Sequence, residues 1–156
     1  MSVVEVQEVL AGIFPDASFE FDETGKTGTA WSVLIPVSGI REAAAAIDKA
    51  GFFLETITGL DFEDTRELVY HFNLYRERSR VAVRVLCGQD QTPESISDIF
   101  RGAGWLEREV HEFFGIVFMG NPDLRPLLLP EDADYHPLLK NFGKTGAHHK
   151  REKIHG

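Results

Sequence analysis

The sequence predicts an α+β fold: a mainly antiparallel sheet of about five strands with helices packed on one side, in the order α-β-β-α-β-β-β-α, followed by an irregular C-terminal arm. Three observations carry this. Segments of period-two alternation follow one another through short connections, as hairpin strands do, without the regular strand–helix alternation of a doubly wound parallel sheet. Helical stripes stand before, between and after those segments. Beyond the last stripe, Pro122, Pro126, Pro130 and Pro137 forbid continuous helix.

In chain order, Ser2 with Glu5 three residues on forms a capping-box pattern, and Val6, Val9, Leu10 and Ile13 give a helical stripe that ends before Pro15. Ala17, Phe19 and Phe21 alternate with polar residues, the segment 24–28 turns the chain, and residues 29–37 return as a second strand. Gly25-Lys26-Thr27 resembles the end of a phosphate loop, but Glu20 stands where the first glycine is required and no helix follows, so it is turn chemistry. A helix over residues 40–50 is drawn from the alanines Ala43–Ala46 and the stop at Gly51.

Three strands follow, over residues 52–60, 68–75 and 81–87. In the middle one Leu68, Tyr70, Phe72 and Leu74 alternate with Val69, His71, Asn73 and Tyr75, which places His71 on a polar face as a surface residue. Asp61, Glu63, Asp64 and Glu67 lack the spacing of a calcium loop and form a solvated turn or an acidic docking face. Thr92-Pro93 predicts a capped helix with Ile96, Ile99 and Phe100 facing inward, broken at Gly102. In the last helix Leu106, Val110, Phe113 and Phe114 form the apolar stripe, Glu107, Arg108, Glu109 and Glu112 the other side, and Gly115 the stop.

Composition limits what such a chain can do. At 156 residues and 17.5 kDa it is one domain of common size. A net charge of −9 argues against general nucleic-acid binding. Lys140, Lys144, Lys150, Arg151 and Lys153 against Glu152 leave the C-terminal end at +4 and the preceding body at −13. A basic tail on an acidic body is either a segment laid on an acidic partner or anionic surface, or a solvated terminus. Cys87 is the single cysteine, which excludes internal disulfides and clusters ligated by several cysteines, and it reads as a small buried hydrophobe. The start MSVVEVQEVL has neither a basic nor a long apolar leader region, from which a cytoplasmic chain attached to a membrane only through another protein is expected.

Enzyme motifs fail on inspection. His111-Glu112 opens like a zinc-protease helix, but Gly115 stands where the second imidazole would be needed. Glu107 and His111 share an i, i+4 face, which reads as a surface ion pair, as does Arg108 with Glu112. The chain has no nucleophile elbow and no dinucleotide loop, and no metal is assigned to it or to His148, His149 and His155 in the tail. A free-standing small enzyme working through Glu107 and His111 is the alternative from another functional class.

The ordered string Glu107-Arg108-Glu109, Phe114-Gly115-Ile116, Phe118, Gly120, Pro122-Asp123-Leu124-Arg125, Leu128-Leu129-Pro130-Glu131-Asp132 and His136-Pro137-Leu138 resembles the signature of the 30-kDa subunit of respiratory complex I, the NADH:quinone oxidoreductase. Relatives in energy-converting membrane hydrogenases share it. The string covers roughly a quarter of the chain, far more than a short motif, and the preceding α+β region resembles the same family more weakly. Departures are His111 where the complex I form has Asp, Asn121 for His, Pro126 for Arg, the lack of a Trp-containing loop before His136, and Leu139-Lys140-Asn141-Phe142 in place of an Arg-Lys-Asp-Tyr run.

The resemblance implies a non-catalytic subunit of the peripheral arm of a membrane-associated oxidoreductase, of complex I type or equivalent to that of an energy-converting [NiFe] hydrogenase. It implies no activity and no cofactor in this chain itself, with FMN, iron–sulfur clusters, quinone or a NiFe centre in partner subunits. The implied partners are the hydrogenase-like large subunit (49-kDa type), near the quinone site, and the iron–sulfur subunit, on the cytoplasmic side of the plasma (inner) membrane. The expected docking residues are Glu107, Arg108, Glu109, Phe114, Ile116, Phe118, Asp123, Leu124, Arg125, Leu128, Leu129, Glu131, Asp132 and His136. The corresponding division is an α+β domain over residues 1–118, an extended docking arm over 119–142 and a basic, flexible tail over 143–156. The arm carries more apolar side chains than the edge of a small domain can readily bury, which marks an interface.

Overall fold

The protein is described by a computed structural model over residues 1–142, so the basic tail of residues 143–156, with His148, His149 and His155, lies outside the described residues. The elements are α1 (Val3–Ile13), β1 (Ser18–Phe21), β2 (Thr29–Ile35), α2 (Ile40–Lys49), β3 (Phe53–Asp61), β4 (Arg66–Leu74), β5 (Ser79–Cys87) and α3 (Ala103–Phe114). The fold is the expected α+β arrangement in the expected order, with an open sheet of strand order β1-β2-β5-β4-β3.

Neighbouring strands pair antiparallel except β2 and β5, which run parallel at the centre. Alternation decides the buried face. Leu68, Tyr70 and Phe72 of β4 are inaccessible, and they register with Val85, Val83 and Val81 of β5, which are equally buried. All three helices cover that one face. The indole Nε1 of Trp31 donates to Val3 O at the start of α1, α2 contributes buried Ile40, Ala43, Ala44 and Ile47, and Phe114 of α3 lies against Gly59 of β3. The opposite face carries ion pairs across the strands: Arg80 with Glu55, and Arg84 bridging Glu67 and Glu20.

Local rules hold where local chemistry decides. Ser2 and Glu5 form the reciprocal capping box of α1. Strand β2 ends at Ile35, two residues short of the expected limit, because Pro36 opens a 3-10 turn over Val37–Gly39 that leads into α2.

Three expectations are corrected. Val9 is not part of the buried stripe of α1, being exposed, and Val3 takes the inward position. Glu67 is not in a solvated acidic turn, since its carboxylate is buried against Arg84. No helix follows Thr92-Pro93. The Thr92 hydroxyl donates to Met119 Sδ, Met119 N–H donates to Pro93 O, and Ser95 N–H donates to Met119 O, so the segment pairs with the chain leaving α3 and cannot coil on itself.

Candidate functional site

Helix α3 and the chain after it form one structural unit, because the helix's polar side chains bind the backbone of the arm. The helix stops where the sequence expects. Gly115 adopts φ +71°, and its N–H donates to His111 O. The extended segment beyond it buries Ile116 and Phe118 in the domain's own core.

Glu107 and Glu112 are expected on the solvent side of α3; both are buried instead. Glu107 Oε1 accepts from Ile96 N–H at 2.8 Å, and its Oε2 accepts from the Ser95 hydroxyl at 2.7 Å and Asn121 Nδ2 at 2.8 Å. Burial pushes its carboxyl above the ordinary range, opposed by those three donors. This carboxylate ties α3 to the segment before it and to the first turn of the arm.

Glu112 binds the arm further along. Its carboxylate accepts the consecutive N–H groups of Leu127, at 3.1 Å, Leu128 and Leu129, a concave donor run of the kind that suits an anion. Arg108 donates from Nε to Arg125 O and from Nη2 to Pro126 O at 2.7 Å, while its guanidinium lies over the Trp105 ring. The spacing of Arg108 and Glu112 predicts a pair with each other; each instead binds the backbone of the arm, where unpaired carbonyls and N–H groups of an irregular segment need partners.

Further contacts complete the strap. His136 Nδ1 meets Glu112 O at 2.9 Å, Leu138 N–H donates to Phe113 O, and Lys140 N–H donates to Asp61 Oδ2. Asp123 accepts from both Arg125 N–H and its guanidinium, which holds the Asp123 carboxyl well below the usual range.

With its backbone thus occupied by the helix, the arm presents side chains outward. Leu128 is 68 % exposed and Leu138 55 %. Glu109, Arg125, Glu131 and Asp132 are exposed, whereas Phe114, Asp123, Leu124, Leu129 and His136 are half-buried. Of the residues expected to dock, Glu107, Ile116 and Phe118 are buried inside this chain, so their side chains are not available to a partner.

Glu107 and His111 are not an ion pair. Glu107 faces Ser95, Ile96 and Asn121, and His111 Nδ1 meets Ile116 O at 2.9 Å. Among the described residues, no three His, Cys, Asp or Glu side chains gather as metal ligands. His71 is half-buried, and burial holds its imidazole below the ordinary value.

Sequence reasoning misses Ser95, Asn121 and the arm-binding role of Glu112. Their available signal is a polar residue on a helix followed by a proline-rich segment whose backbone cannot satisfy itself.

The family model described as respiratory-chain NADH dehydrogenase, 30 Kd subunit, matches residues 33–148. The chain is 33 % identical to a NADH-quinone oxidoreductase subunit of Rhizobium rhizogenes over 143 residues, covering 89 % of this chain and 70 % of that protein. It is 41 % identical to the mitochondrial NADH-ubiquinone oxidoreductase 30.4 kDa subunit of Neurospora crassa over 93 residues, covering 58 % of this chain and 33 % of that one. Among solved structures, a chain of the membrane-bound sulfane sulfur reductase, an archaeal respiratory membrane complex, superposes with a TM-score of 0.79 at 24 % identity, covering 97 % of this chain and 91 % of that one. That likeness establishes the shared fold.

Proposed function

The chain belongs to the respiratory-chain NADH dehydrogenase 30-kDa subunit family, a subunit of a multisubunit, membrane-associated respiratory complex, and we propose that within the complex it is a non-catalytic docking subunit of the peripheral arm. The proposed partners are the hydrogenase-like large subunit, near the quinone site, and the iron–sulfur subunit. On this reading FMN, iron–sulfur clusters and quinone belong to those partners, and the assembly lies on the cytoplasmic side of the membrane. The names of the sequence relatives favour the NADH:quinone type over the hydrogenase type. No helix among the described residues is long and apolar enough to cross a membrane.

One observation carries the reading: α3 binds the arm by its backbone, leaving the side chains of Leu128 and Leu138 exposed. Burying one such leucine on a partner contributes roughly 1.5–3 kcal/mol, and because the arm is already held, less ordering cost opposes it. Arg125, Glu131 and Asp132 would set register around that apolar centre, with Glu109 beside it. Glu107, Ile116 and Phe118 would support the surface from within. We keep residues 1–118 as the body and 119–142 as the docking arm.

The test is a Leu128→Asp variant expressed in place of the native chain. Its side chain is exposed, so the domain folds, and the large subunit is expected to be lost from the purified complex. Recovery of a complete complex at wild-type stoichiometry and salt resistance would reject the docking role of the arm.

A further inference from the structure

Strands β1 and β3 are the two edges of the sheet, and they differ in a way that bears on assembly. β1 has four residues, whereas β3 has nine, Phe53-Leu54-Glu55-Thr56-Ile57-Thr58-Gly59-Leu60-Asp61. An edge of that length offers a row of unpaired N–H and C=O groups, which proteins ordinarily blunt with proline, lysine or a covering element. β3 has neither proline nor lysine, and beyond the irregularity between Leu54 and Thr56 its register with β4 runs unbroken to Asp61. Among the described residues, no backbone hydrogen bond other than those of the β3–β4 ladder involves Phe53 to Leu60. Phe53 and Leu60 are each 41 % exposed.

A groove of about 210 Å³ runs beside this edge, lined by Thr56 to Gly59 of β3, by Glu109, Val110, Phe113 and Phe114 of α3, and by Leu138. Thr56 and Thr58 point to the opposite sheet face from Ile57 and Gly59. The groove touches all four and is walled by α3, so it lies where the edge of the strand meets the helix. Gly59 lets α3 approach the strand closely at one end of the groove, since a Cβ there would stand 2.6 Å from the Phe114 ring.

We propose that the free edge of β3 receives an extended strand from a partner subunit of the complex, which adds to the sheet by backbone hydrogen bonds and places one apolar side chain between β3 and α3. This rests on the docking reading above. Only an extended polypeptide matches a row of alternating donors and acceptors beside a side-chain-sized groove. Glu109 at the rim is exposed without an ion-pair partner among the described residues, so the incoming segment is one with a basic residue beside its apolar anchor. A second copy of this chain fits less well, because at a net charge of −9 it would bring the same acidic rim to the interface.

Amide hydrogen exchange of the full chain, alone and within the purified complex, tests this. In the isolated chain, alternate amides of Thr56 to Leu60 are expected to exchange quickly, and in the complex to slow by about tenfold or more. Thr58→Lys, at an exposed position on the edge where a lysine opposes strand addition, should abolish that slowing while the large subunit stays in the purified complex. Protection of the arm but not of β3 in the complex would overturn the added strand and leave the docking reading intact; protection of neither would overturn both. Concentration-dependent protection of β3 in the isolated chain, together with a dimer mass, would assign the edge to a second copy and overturn the partner strand.

Discussion

The backbone N–H of Leu128 donates to both carboxylate oxygens of Glu112, at 2.9 and 3.0 Å. That relationship fixes which way the arm faces: with its N–H turned to the helix, Leu128 carries its side chain outward. Glu112→Ala would leave the N–H groups of Leu127, Leu128 and Leu129 without their acceptor. The expected cost is about 2–3 kcal/mol, since orphaned, partly buried donors lose their partner without regaining full hydration. Urea unfolding should report it, and limited proteolysis should cut the arm sooner. Glu112→Gln, which keeps one acceptor oxygen, should fall between the two. An arm equally resistant in all three proteins would show that Glu112 does not hold it.

Gly115 links the helix to the strap through two separate constraints. Its φ of +71° is disfavoured for any residue with a Cβ, and a Cβ there would stand 2.8 Å from the His136 ring. Gly115→Ala is therefore expected to cost about 1–2 kcal/mol for the backbone and about 1 kcal/mol more if the ring gives up its bond to Glu112 O. Gly115→Asn shares the steric conflict but tolerates the left-handed backbone better, so it should melt above the alanine variant. The same melting temperature for both variants would mean that the conformation at Gly115 contributes nothing.

Much of this architecture is legible in the sequence, because it is set by neighbours in the chain. The capping box of Ser2 and Glu5, the alternation of Leu68 to Leu74 and the stop at Gly115 all depend on residues within one turn or one strand. The candidate site is less legible, since its partners are remote in sequence. Glu107 takes Ile96 N–H from eleven residues away and Glu112 takes Leu129 N–H from seventeen, and nothing in helical periodicity marks a carboxylate as belonging inside. The missing helix after Pro93 has the same cause, with Met119 claiming the groups that a cap and first turn would use. The arm, too, cannot be placed by pattern, because it is fixed through backbone groups that every residue possesses.

Cys87 tests the enclosure at the end of β5. It is 2 % exposed, and burial pushes its thiol up to about 11, with Arg66 acting weakly the other way. A thiol of that kind is scarcely ionised at pH 8, and the thiolate is the reactive species. An aromatic disulfide reagent should therefore label the native chain at a rate limited by opening of the sheet, and label it rapidly in denaturant. Fast native labelling that accelerates with pH between 7 and 9 would contradict the burial.

Glu107 gives the fold a pH dependence of unusual sign. Burial raises its carboxyl above the ordinary value of 4.5, so the folded chain holds that proton more tightly than the unfolded chain. In the interval between the ordinary value and the raised one, the folded state is protonated and the unfolded state is not, and stability falls as pH rises. The contribution is thus complete below about 4.5 and is lost as pH climbs through the folded value, opposite to a carboxylate stabilised by an ion pair. Glu107→Gln removes the titration while keeping the shape. The difference in unfolding free energy, wild type minus variant, should therefore decline on going from pH 4.5 upward and then level off. A difference that is flat, or that grows with pH, would mean that the donors Ser95, Ile96 N–H and Asn121 outweigh burial and that Glu107 is held as an anion throughout.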